Sequence, residues 1–125
     1  MKNDKATEQG ISWFEIAVSD FDRAKKFYET IFNEHMMVMD LGVLKMAIFQ
    51  RMDGAICYNP DWYKPSIEGT LIYMNADSEL KEIQSRIEPA GGTLIQTKKL
   101  IAPGRGYMCL FTDSEGNRLA LHSYS

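Results

Sequence analysis

The 125-residue chain has no long apolar run, no basic stripe and only two cysteines. A helix that spans a bilayer needs about 18 or more consecutive apolar residues, and no stretch approaches that. The opening MKNDKATEQG lacks the apolar h-region of a secretory leader, so it reads as a polar tail, residues 1–10, and not as a signal peptide or anchor. The expected location is the cytoplasm, with no membrane partner. Lys25-Lys26 and Lys98-Lys99 are isolated pairs in a chain of net charge −3. Nucleic acid and anionic membranes select concentrated positive charge, so neither is an expected partner. Cys57 and Cys109 form no C-x-x-C pair, and each lies in an apolar, strand-like run. They read as two buried free thiols.

What is present suits one globular domain, 11–125. Hydrophobic residues make up 45% of the chain, enough for a real core at this length. Met36, Met37, Met39, Met46, Met52, Met74 and Met108 fall in strand candidates or at their edges. They suit either core filling or an adaptable apolar surface.

ISWFEIAV alternates as a strand does. After Ser19-Asp20, FDRAKKFYETIF places apolar residues at 21, 24, 27, 28, 31 and 32. That spacing predicts a helix with one continuous apolar face. Ser19 and Asp20 are good N-cap types, and Asp22 suits the first turn of a helix dipole. HMMVMDL, VLKMAIFQR and GAICYN then read as three short strands. The second half repeats the order. GTLIYMNA is a strand, and Asp77-Ser78 opens a helix carrying Leu80, Ile83 and Ile87. Pro89 and Gly91-Gly92 close that helix. TLIQTKKLI, GYMCLFTD and NRLALHS complete the set, with turns at Pro103-Gly104 and Glu115-Gly116-Asn117. Aligning the helix starts Asp20 and Glu79 gives an offset of 59 residues.

The fold class is therefore α+β: two βαβββ modules, about 11–58 and 70–123, joined by the loop 59–69. A helix covers one face of each small sheet, and the bare faces must meet each other or a second chain. Two such sheets curling together make an open, barrel-like groove, the kind of place where small ligands bind. The sequence leaves open whether one chain or a dimer forms that groove. A homodimer is expected, because something must cover the apolar faces.

With this repeat, WFEIAVSDFDRAKKFYETIF and GRGYMCLFTDSEGNRLALHS resemble the vicinal oxygen chelate superfamily. It includes glyoxalase I, bleomycin resistance proteins and extradiol dioxygenases. The V-x-D–helix–FY opening, the helix-ending A-G-G and the closing F-x-D-x-x-G-N turn carry the resemblance from Ile11 to His122. It implies the two-module fold. In metal-dependent members it also implies two ligands per module, one from the first strand and one from the last. Carried over, those positions are Trp13, seven before Asp20, and Ile72, seven before Glu79. The last-strand positions are Ala120, three after the G-N turn, and Cys57, from pairing Gly54 with Asn117. A slip of one residue gives Phe14, Tyr73 and Leu121. None of these makes a shell for a hard divalent cation. No cofactor and no metal ligand are therefore expected, with a divalent metal on a nonstandard set as the disfavoured alternative.

Glu15 and His122 each lie two residues beyond a carried-over position, hence on the same strand face. They are the catalytic candidates: Glu15 as general base, His122 as acid, base or ligand. Their plain alternatives are an ion-paired carboxylate and a histidine at the sheet rim, and His35 reads as a surface loop residue. Met74 shares the Ile72 face, while Tyr107, Cys109 and Phe111 share one face of their strand. Together with Trp13, Cys57, Ile72 and Ala120 they are the expected ligand lining. Trp62 and Tyr63, in NPDWYKPSIEG, either close over a ligand or staple their loop. Arg105 either meets an anionic group or is an exposed loop residue. The favoured function is binding of an unidentified small apolar or aromatic molecule. The alternatives are a lyase, isomerase or dioxygenase-like enzyme, metal-free through Glu15 or using a nonstandard metal set, and a partner-binding domain.

Overall fold

The computed structural model describes residues 10–125, so the tail expected at 1–10 lies almost wholly outside the described residues. Asp20 adopts extended backbone, and its carboxylate accepts the Arg23 N–H at 3.1 Å, capping helix α1 (Phe21–Phe32). Asn33 stops the helix in the left-handed region, φ 51°. All six apolar positions of the sequence pattern are buried along α1. Ahead of it lies β1 (Phe14–Ala17), and after it β2 (Met37–Asp40), β3 (Lys45–Ile48) and β4 (Gly54–Tyr58). The second module runs β5 (Ile72–Asn75), α2 (Leu80–Ile87), β6 (Thr93–Ala102), β7 (Gly106–Thr112) and β8 (Arg118–Ser123). His35 is exposed just before β2. No helix among the described residues is long and apolar enough to cross a membrane.

The strands form two four-stranded sheets, β1-β4-β3-β2 and β5-β8-β7-β6, which do not close into a barrel. Within each sheet the first strand pairs in parallel with the last, and the other pairings are antiparallel. Equivalent hydrogen bonds fix how the modules correspond. Val18 N–H donates to Cys57 O, as Ala76 N–H donates to His122 O. Strand β5 therefore matches β1 at an offset of 58 residues, from Val18 to Ala76, and not at 59. The extra residue lies in the turn before α2, where Ser78 takes φ 60°. Counting back from the helix start thus misplaces β5 by one, which turns every side chain to the other face.

One core runs through both modules. Ile16, Val18 and Ile56 of the first sheet join Met74, Leu119 and Leu121 of the second, with both helices packed against them. Phe27 of α1 lies 6.3 Å from Phe111 of β7, centroid to centroid. Polar clasps lock the modules together. Buried Tyr28 donates to Asp113 at 2.5 Å. Asn117 Nδ2 donates to Ala17 O at 2.7 Å. Burial pushes both the Tyr28 phenol and the Asp113 carboxyl above their ordinary values. Beside them, the shielded Glu115 carboxylate accepts from Arg23, Ser19 and Asp20. Burial opposes its charge, but these donors outweigh burial and hold its pKa at about 2.

Candidate functional site

Alternation along β1 sends Ile16 and Val18 to the core and leaves Glu15 on the opposite face. The register sets Ala55 and Cys57 of β4 beside Glu15 and Ala17 on that face. Glu15 is the centre of a small polar cluster. The Tyr63 hydroxyl donates to Glu15 Oε1 at 2.7 Å, and Trp13 Nε1–H donates to Oε2 at 3.3 Å. Tyr63 reaches it because the loop after β4 turns back: Asn59 O accepts both the Trp62 and Tyr63 N–H groups. The Tyr63 ring then covers Met46, Ala55 and Cys57, which are buried. The hydrogen bond to Glu15 pushes the Tyr63 phenol up to about 12. Burial first, and then the Glu15 charge, pushes the Cys57 thiol up to about 12. Near neutral pH both are protonated, so Cys57 offers no thiolate for nucleophilic attack.

The second module differs on the matching face. Tyr73 pairs with Ala120 and Asn75 with His122, so these four share it with Arg118. Ile72 and Met74 turn the other way. Met74 is in the core and Ile72 packs against it. The same correction applies to β7: Cys109 and Phe111 are core residues and Tyr107 packs against them, on the helix-covered side and not in the groove. Burial pushes the Cys109 thiol up to about 11. Both cysteines are free and buried.

Strands β1 and β5 each end a sheet, and both contribute to the walls of two cavities. The larger, about 640 Å³, is bounded by Ile11–Phe14, Met52-Asp53 and Thr70–Asn75. The smaller, about 180 Å³, lies between β1 and the start of β8 and also touches Thr70 and Ile72. Of the expected lining, Trp13, Ile72 and Met74 reach the larger cavity. Glu15 borders the smaller one with Lys64 and Arg118. Cys57 is sealed beneath Tyr63, and Ala120 is fully buried. Trp62 is 68% exposed and borders a separate surface hollow beside Val43 and Tyr58. His122 is not brought to Glu15. Its Nε2 lies 2.8 Å from Arg105 O, and its ring stands edge-on to Tyr124. Leu71 and Thr70 have no counterpart among the residues singled out along the sequence, where Tyr73 stands only as the one-residue slip from Ile72 and Met52 only as core filling or adaptable surface. The core alternation of Met74 and Ala76 was the signal that could have found Tyr73.

The model of the Glyoxalase/Bleomycin resistance protein/Dioxygenase superfamily matches residues 10–121. The chain belongs to this superfamily. Solved structures with the same fold include a superfamily enzyme from Burkholderia phytofirmans PsJN, at TM-score 0.70 and 16% identity. The match covers 91% of this chain and 98% of that one. A glyoxalase/bleomycin resistance protein from Albidiferax ferrireducens T118 matches at 0.69 and 15% identity, over 90% and 97%. The fosfomycin resistance protein FosX from Listeria monocytogenes, hexagonal form, matches at 0.68 and 20%, over 94% of both chains. Among curated proteins, none matches.

For a superfamily member, the register refines the carried-over metal positions. Ala55, not Cys57, is the counterpart of Ala120, and Leu71, not Ile72, is the counterpart of Trp13. Trp13, Ala55, Leu71 and Ala120 supply no oxygen, nitrogen or thiolate ligand from their side chains. Among the described residues, no group of three or more His, Cys, Asp or Glu could hold a metal ion. The donor set does not fit the superfamily's metal.

Proposed function

We propose that this superfamily member binds a small apolar or aromatic molecule between β1 and β5, and that it has given up the superfamily's metal site. The observation that carries this is the 640 Å³ cavity, whose wall joins Trp13, Phe14, Met52, Leu71 and Tyr73 with one carboxylate among the described residues, Asp53. An apolar lining with few polar groups suits such a ligand. The non-ligand side chains at the four register-corrected positions, Trp13, Ala55, Leu71 and Ala120, support the metal-free part. Titration calorimetry with 2-naphthamide, a neutral aromatic probe, tests the binding. Saturable one-to-one binding that Tyr73→Ala weakens is expected, and no detectable binding overturns the reading. Elemental analysis of protein purified without chelators tests the rest, and near-stoichiometric Fe, Ni, Zn or Mn would sink it.

A second reading, metal-free proton transfer, rests on the Glu15–Tyr63–Trp13 cluster at the edge of the smaller cavity. In it Glu15 takes the proton and Tyr63 returns one. If Glu15→Gln leaves turnover of a screened substrate unchanged, Glu15 has no such role. A homodimer is proposed from exposed Met37, Val38 and Met39 on edge strand β2. Unpaired apolar edges of this kind invite a second chain. Light scattering showing a monomer at micromolar concentration would contradict it.

A further inference from the structure

The smaller cavity carries a charge that the binding proposed above does not use. Arg118 and Lys64 both border it, together with Ser66 and Thr70. Arg118 Nε is shielded from solvent and has no hydrogen-bond partner among the described residues. No carboxylate lies within ion-pair distance of the Arg118 guanidinium among the described residues. A shielded, unpaired donor is costly, so its retention calls for an explanation. The one acid on the wall, Glu15, already accepts hydrogen bonds at both oxygens, from Tyr63 and Trp13. Arg118 and Lys64, whose Nζ donates to Pro60 O, stand against one engaged carboxylate and leave the cavity wall positive. A guanidinium offers a planar fork of donors that fits a carboxylate or similar oxyanion.

The two cavities share Thr70 and Ile72, so they adjoin. A molecule spanning both would place its apolar body beside Trp13 and Tyr73 and a polar end beside Arg118. We propose that the natural ligand is an organic acid: an apolar or aromatic body bearing one oxyanion, with Arg118 as the anchor and Lys64 as the assisting charge. This rests on the binding reading above and adds the charge class to it. It also gives Arg118, on the same strand face as Ala120, a role that a metal does not enter.

The test is titration calorimetry of the full chain with two acids, 2-naphthoate and 4-(2-naphthyl)butanoate, each against its own primary amide. The two lengths allow for the distance between the lobes. At least one acid should bind about tenfold more tightly than its amide, a factor equivalent to about 1.4 kcal/mol. That preference should fall below about threefold in Arg118→Gln and survive in Arg118→Lys. In the unaltered chain, raising salt from low to high ionic strength should weaken the acid and not the amide, which keeps the test sound if a variant folds poorly. Acids binding no better than amides would overturn the anion site while leaving the apolar cavity standing. So would a preference that persists in Arg118→Gln or ignores salt. Failure of acids and amides alike would overturn both readings.

Discussion

In the first module, the sheet face turned away from the helix is closed by Tyr63, which covers Met46, Ala55 and Cys57 and holds Glu15. In the second module, nothing comparable among the described residues covers Tyr73, which stands 50% exposed beside the larger cavity. On the helix side the modules are alike: Ile56 and Leu121 occupy equivalent register positions, and both are fully buried. The difference shows where the repeat constrains the chain. A helix must seat on each sheet, so both inner faces stay apolar. The outer faces carry no such shared demand, and one has taken a lid and a carboxylate while the other has stayed open.

The likeness of the inner faces is the most costly to break. Ile56→Ala and Leu121→Ala should each destabilise the fold by about 2–5 kcal/mol, read from urea unfolding midpoints. If either costs under about 1 kcal/mol, the two inner faces are not equivalent. The clasp between modules comes next. Glu115→Gln should cost about 1–3 kcal/mol, because Arg23 and two backbone N–H groups lose an ionised acceptor. The sign with pH follows from its folded pKa of about 2, below the ordinary 4.5. Its contribution is full above the ordinary value and is lost as pH falls from about 5 towards 2. Asp113, held above its ordinary value by burial, works in the opposite direction. Acid unfolding of Glu115→Gln should therefore be shallower over that range than for the unaltered chain.

The outer faces should answer unequally. Tyr63→Phe removes the 2.7 Å hydrogen bond to Glu15 and should cost about 0.5–1.5 kcal/mol, together with a change in Trp13 fluorescence. Tyr73→Phe removes a hydroxyl from an exposed ring and should change stability by less than about 0.5 kcal/mol. Equal effects from the two would erase the contrast between a covered face and an open one.

Much of this was legible along the chain. The 3.6-residue spacing of α1 predicted all six of its buried side chains, and the repeated strand order predicted two sheets. Periodicity is local, and burial on one side follows from it directly. The site was less legible for the same reason. One additional residue before α2 shifts β5 by a position, and no local pattern weighs the helix start against the strand register. Met74, Cys109 and Phe111 look equally suited to a groove and a core, because apolar side chains serve both.

The sequence by itself determined the two modules, their helix faces, the resemblance carried by the F-x-D-x-x-G-N turn, and the lack of metal-binding side chains at Trp13 and Ala120. Only the tertiary structure decided which strand faces are covered, that Tyr63 returns to Glu15, and that Lys64 and Arg118 border one cavity. These bring together residues about 50 positions apart, as Tyr63 and Glu15 are 48 apart. They depend on how two sheets and a loop are set in space, and neighbouring residues do not encode that.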